Sequence, residues 1–141
     1  MSVRCTVAVI AALATSSCGP SAITAERIER AIEPTFANLV QVQVSWLEIP
    51  PVSASEVDVT ASCRRQAAGS DAGTGEWVCR LRWLGPDRQA LRDTFDVVVT
   101  TDGCYTATAE GEQLGGVTLK APDGHEVRNL LHTFEGCFDT M

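Results

Sequence analysis

Glu76-Trp77-Val78-Cys79-Arg80-Leu81-Arg82-Trp83-Leu84 alternates between apolar and polar side chains almost without a break. A period of two puts Trp77, Cys79, Leu81 and Trp83 on one face of a strand, with Arg80 and Arg82 on the other. One dry face and one wet face is the pattern of an antiparallel sheet covered on a single side.

The same period recurs on both sides of this stretch. Upstream, Glu56 to Cys63 sets Val57, Val59, Ala61 and Cys63 against Glu56, Asp58, Thr60 and Ser62. The connector Gly69 to Gly75 separates the two runs. Downstream, Gly85-Pro86-Asp87 is a turn, and Arg92 to Thr100 carries Phe95, Val97 and Val99 on one face. Asp102-Gly103 makes the tight turn of a hairpin whose return strand is Cys104 to Ala109. After a loop over Gly111 to Gly116 come Val117 to Lys120, a Pro122-Asp123-Gly124 turn and His125 to Arg128. No strand–helix–strand spacing follows residue 50, which disfavours a doubly wound fold.

A helix precedes these strands. Thr24 caps it, Glu26 suits the positive end of its dipole, and Ile28, Ile32, Phe36 and Leu39 form one apolar stripe. Glu26 and Arg30 stand one turn apart on the wet side. Pro34 is expected to kink this helix without ending it. Residues 40–47 read two ways: Val40, Val42, Val44 and Trp46 alternate as in a strand, yet no turn separates them from the helix. The helix is expected to run to about Leu47, and Pro50-Pro51 then stops it. The fold class is α+β: an N-terminal amphipathic helix packed on a curved antiparallel sheet of four to six strands, with two disulfides.

Met1 to Ala14 holds one basic residue, Arg4, and then a short apolar run, as secretory signals do. The run is shorter than the roughly 20 residues that span a bilayer. Two cleavage sites compete. Ala12-Leu13-Ala14 would release a soluble protein starting at Thr15. Ala14-Thr15-Ser16-Ser17-Cys18-Gly19 is similar to the lipobox of bacterial lipoproteins, with Thr15 in place of the usual leucine. The chain has 6 cysteines. Cys5 leaves with the signal, and cleavage after Ala14 would leave an odd number in an oxidising compartment. Lipidation of Cys18 leaves four. The organisation expected is a lipoprotein signal over 1–17, a short tether over 18–23 and one disulfide-stapled domain over 24–141. The four cysteines allow three connectivities. The simplest pairs Cys63 with Cys79 and Cys104 with Cys137.

The chain has 141 residues, one domain's worth, and a net charge of -7. That balance argues against a nucleic-acid binder and against a basic membrane patch. Neither a phosphate-binding glycine loop nor a G-x-S-x-G elbow occurs. His125 and His132 lie at no metal-site spacing, so no metal or cofactor is expected. The acidic pairs Asp93/Asp96 and Glu110/Glu112 read as solvated surface. Trp46, Trp77, Trp83, Tyr105, Phe134 and Phe138 are many large rings for a small domain. Most must be core, while Trp46, Trp77, Trp83 and Tyr105 are the candidates to line a ligand cleft between helix and sheet.

The order of features resembles small, largely uncharacterised exported lipoproteins of high-GC Gram-positive (actinobacterial) type. The resemblance rests on Trp77-Val78-Cys79, on Asp102-Gly103-Cys104-Tyr105-Thr106-Ala107 and on Phe134-Glu135-Gly136-Cys137-Phe138. It implies a structural scaffold on the outer face of the cytoplasmic membrane and transfers no catalytic residue. A looser similarity is to helix-plus-sheet domains of the cystatin or PepSY type. The expected function is a non-enzymatic envelope lipoprotein domain that binds or modulates a membrane-proximal partner. Two alternatives are a small-ligand module using the aromatic cleft, and a hydrolase using His132 or His125 with a nearby carboxylate.

Overall fold

The computed structural model describes residues 22–138. The signal over 1–17, the lipidation candidate Cys18 and most of the tether lie outside the described residues. Helix α1 spans Ala25–Trp46 and a single-turn α2 spans Ala54–Val57. Strands follow at β1 (Thr60–Arg65), β2 (Gly75–Leu84), β3 (Ala90–Val99), β4 (Cys104–Ala109), β5 (Thr118–Lys120), β6 (Glu126–Arg128) and β7 (Thr133–Cys137). Five of them form an antiparallel sheet in the order β1-β2-β3-β4-β7, while β5 and β6 form a separate hairpin. The fold is α+β, one long helix against one face of that sheet, with two disulfides.

Thr24 caps α1 as its position suggests, accepting a hydrogen bond from the Arg27 N–H. The helix runs through Pro34 and on to Trp46 as one element. The question over residues 40–47 resolves by burial. Val40 and Val44, one turn apart, are buried with Ile28, Ile32 and Phe36, whereas Val42 is 42% exposed. A strand would have put all three valines on one face.

One strand starts later than its alternation implies. Ser53 and Glu56 close a capping box: the Glu56 N–H donates to the Ser53 hydroxyl at 3.3 Å, and the Ser53 N–H donates to the Glu56 carboxylate at 2.7 Å. These bonds hold the Glu56 carboxyl below its ordinary range, the backbone bond contributing most. Asp58 then turns left-handed at φ 47° and ends the helix. Val57 is buried, but as the last residue of α2 and not as the first inward residue of a strand. A second departure is β7, a strand that no alternation in the sequence announces. Phe134 is its only large apolar residue, too little to set a period.

The core is aromatic. Phe36 of α1 lies 4.9 Å from the Trp83 ring and 5.8 Å from both Phe95 and Phe134. Tyr105 packs on Phe138 at 5.6 Å, and its hydroxyl reaches the Ala31 carbonyl at 3.4 Å. Burial pushes the Tyr105 phenol above its ordinary value.

Cys63–Cys79 and Cys104–Cys137 are both bonded, the simplest of the three connectivities. Each joins residues directly opposed on neighbouring strands. The surrounding backbone bonds, Gln66 N–H to Glu76 O and Phe138 N–H to Gly103 O, place both cystines at the non-hydrogen-bonded positions of their ladders. Side chains approach most closely there. Cys63–Cys79 lies on the helix side of the sheet, while Cys104–Cys137 lies on the opposite side.

The two outer strands differ in how their free edges end. Along β1, the Ala61 N–H donates to Glu33 at 2.9 Å and the Cys63 N–H to Glu29 at 2.8 Å. Two carboxylates one helical turn apart thus close the β1 edge against further pairing.

Candidate functional site

The face of the sheet turned away from α1 carries the second half of every alternation. Among the described residues, no helix or strand packs over it. The strand register arranges its side chains in rows. Thr60, Arg82 and Arg92 form one row, and Ser62, Arg80 and Thr94 the next. Arg64, Val78, Asp96, Thr108 and Thr133 form a third row. Glu76, Val98, Thr106 and Glu135 form the fourth.

Arg64, Arg80, Arg82 and Arg92 therefore make a diagonal band across β1, β2 and β3. All four are exposed. Arg82 and Arg92 stand directly opposite each other, an arrangement that like charges disfavour. Among the described residues, no carboxylate lies within ion-pairing distance of Arg80, Arg82 or Arg92. In an acidic chain this is a local concentration of unneutralised positive charge.

Beside the band, a groove of about 590 Å³ has Arg64, Gln66, Arg80, Thr94, Asp96 and Glu110 among its walls. Asp96 accepts a hydrogen bond from the Gln66 amide at 3.0 Å. Glu110 follows β4, and its N–H donates to the Thr94 carbonyl, which brings its side chain beside Asp96. Its carboxyl is held above the ordinary range, first by a hydrogen bond shared with Asp96 and then by the repulsion of that neighbour. Carboxyls and arginines thus stand side by side along one groove, which can take ligand groups of either sign. Nearness in sequence pairs Asp93 with Asp96 and Glu110 with Glu112. The residues that meet are Asp96 and Glu110, and the signal for them was the Asp102-Gly103 turn, which fixes the register of β3 on β4.

Asp93 is not surface. It is 7% exposed on the helix side of β3, where one oxygen accepts from the Thr94 N–H at 2.7 Å and the Gly111 N–H at 3.1 Å. Its other oxygen has no partner.

The aromatic candidates separate. Trp77, Trp83 and Tyr105 are 1%, 4% and 2% exposed, enclosed in the core, while Trp46 is 43% exposed at the end of α1. The space between helix and sheet, the place expected for a cleft, is filled by the contacts of Trp83 with Phe36 and of Tyr105 with Phe134 and Phe138. The Trp77 indole N–H donates to the Gly73 carbonyl at 3.0 Å, so the ring is satisfied within the fold.

The histidines also stand apart. His125 sits in an exposed turn before β6, where its N–H and ring both bond Asp123. Those bonds hold the Asp123 carboxyl below its ordinary range. His132 is half-buried before β7, with its ring nitrogen 3.2 Å from the Thr133 hydroxyl. Among the described residues, no three His, Cys, Asp or Glu side chains gather as a metal site. No described helix is long and apolar enough to cross a membrane.

Compared with known proteins, the chain matches no family model, no curated protein and no solved structure.

Proposed function

We propose that this protein is a non-enzymatic cell-envelope binding domain, held to the outer face of the cytoplasmic membrane by a lipid on Cys18, that engages a membrane-proximal partner through the uncovered face of its sheet. The observation that carries the binding role is the arginine band. Arg82 opposite Arg92, with no carboxylate in reach, is a repulsive pair that an isolated scaffold has no reason to keep. An anionic group on a partner would relieve it. Charge-assisted bonds from arginine to a carboxylate are strong and directional. The anchoring role rests on Cys18 and on the pairing of the other four mature cysteines, which leaves Cys18 without a thiol partner in its own chain.

Two measurements test this reading. The mass of the mature protein from membrane fractions of its native host should correspond to residues 18–141 plus lipid, less the protons of two disulfides. A lipid-free mass starting at Thr15 would sink the anchor. For the partner, a photo-crosslinking side chain is placed at Arg82 and, as a control, at Asn38 on the exposed side of α1. Adducts at position 82 that Arg64→Ala weakens support the reading. Equal labelling at both positions, or none at 82, overturns it.

A further inference from the structure

We propose that the free edge of β7 is a template for strand addition, and that it takes an extended peptide segment with a basic residue opposite Glu135. The inference does not draw on the arginine band; it concerns the β7 edge of the same sheet, where Glu135 ends the last row of the uncovered face.

β7 is an outer strand of the five-stranded sheet, paired only with β4. Alternate residues of an antiparallel strand point their backbone groups at one neighbour and then away from it. The bonds Ala109 N–H to His132 O and Phe138 N–H to Gly103 O fix which are which. Phe134 and Gly136 bond β4, so Thr133, Glu135 and Cys137 present their N–H and C=O groups outward. Among the described residues, nothing bonds them there. The contrast with β1 is direct, since that edge is closed by Glu29 and Glu33. The β7 edge is also tied covalently to its neighbour, Cys137 to Cys104.

The surroundings choose the occupant. A second copy pairing antiparallel on β7 with full overlap would set Glu135 against Glu135, which repels. A partner strand with Lys or Arg at that position is attracted. On the helix side of the same edge, a hollow of about 390 Å³ lies between α1 and the end of β7, with Arg27, Arg30, Ala31, Pro34, Thr35 and Phe138 among its walls, so it suits an uncharged or acidic neighbour of the basic residue. A strand laid on β7 alternates its side chains, so neighbours of the basic residue point toward that hollow. Main-chain bonds give such complexes affinity, and pockets for alternate side chains give them specificity.

The test uses two short synthetic peptides that alternate valine and threonine, one with lysine and one with glutamate at the centre. They are added to the oxidised protein and amide exchange is followed by NMR. In the free protein, the Thr133, Glu135 and Cys137 amides should exchange fast and those of Phe134 and Gly136 slowly. The lysine peptide should slow the first set and bind about fivefold more tightly than the glutamate peptide. Glu135→Lys, an exposed substitution, should reverse that preference. No slowing at the three outward amides, or the same affinity for both peptides in both proteins, overturns the proposal.

Discussion

The ring of Tyr105 lies against the α-carbon of Gly136, its register partner across β4 and β7. A Cβ at position 136 would stand 2.6 Å from the Tyr105 Cζ. Close approach is what requires glycine here, since Gly136 is not among the residues of positive φ. Gly136→Ala should therefore destabilise the protein by about 1–3 kcal/mol, the cost of overpacking a filled core. Tyr105→Leu removes the ring and should make the second substitution milder, so the two effects should not add. Urea denaturation of the single and double variants measures this coupling. Strict additivity would contradict the packing described.

Opening the β1 edge should cost stability and solubility together. Glu29→Ala and Glu33→Ala each orphan one backbone N–H and should cost about 1–2 kcal/mol. The double variant should also self-associate through β1, visible as a concentration-dependent sedimentation coefficient. Glutamine at either position keeps an acceptor and should lose less.

Both disulfides should matter, and by similar amounts. The chain-entropy model gives about 3 kcal/mol for the 16-residue separation of Cys63 and Cys79. For the 33-residue separation of Cys104 and Cys137 it gives about 4 kcal/mol. Paired alanine substitutions compared by denaturant midpoint would check the order.

The carboxyl pair sets a pH signature. Because the folded protein holds the Glu110 proton more tightly than the unfolded chain does, this group's stabilising contribution is complete below its unfolded pKa. It is lost as pH rises through the folded value. Glu110→Gln lacks that loss. It should match the native protein in acid and exceed it in melting temperature at neutral pH. A constant difference across the range would refute the raised Glu110 carboxyl.

Arg92→Glu should separate stability from binding. It replaces a repulsive cross-strand pair by an attractive one and should raise stability by about 0.5 kcal/mol. Introduced separately into the protein that carries the photo-crosslinking side chain at position 82, it should lower crosslinking there. A variant that lost both would place Arg92 in the scaffold and not at the partner.

Much of this fold can be read from the sequence where burial imposes a period. The alternation in β2 and β3 and the stripe in α1 exist because one face of each element must be dry. The failures have the opposite cause. Val57 falls in phase with Val59 and Ala61, so α2 is hidden inside what looks like a strand; only the Ser53 and Glu56 spacing marks it. β7 escapes because Gly136 and Phe134 share its inner face, and glycine carries no hydropathy signal. Its glycine is explained only by Tyr105, which is distant in sequence. The meeting of Asp96 and Glu110 is a matter of register, and the arginine band becomes a band only when three strands lie side by side.

The strand order β1-β2-β3-β4-β7 has one further consequence. Its first four strands are a meander of neighbours, able to zip in succession from local turns. The fifth place is filled from beyond the β5–β6 hairpin, so the sheet stays unfinished until its final segment has been made. Phe36 waits for Phe134, and Cys104 for Cys137. A chain ending at residue 128 would lack both Phe134 and Cys137, leaving the hydrophobic interior incomplete and Cys104 without its partner. The last strand thus completes the interior and the second disulfide together.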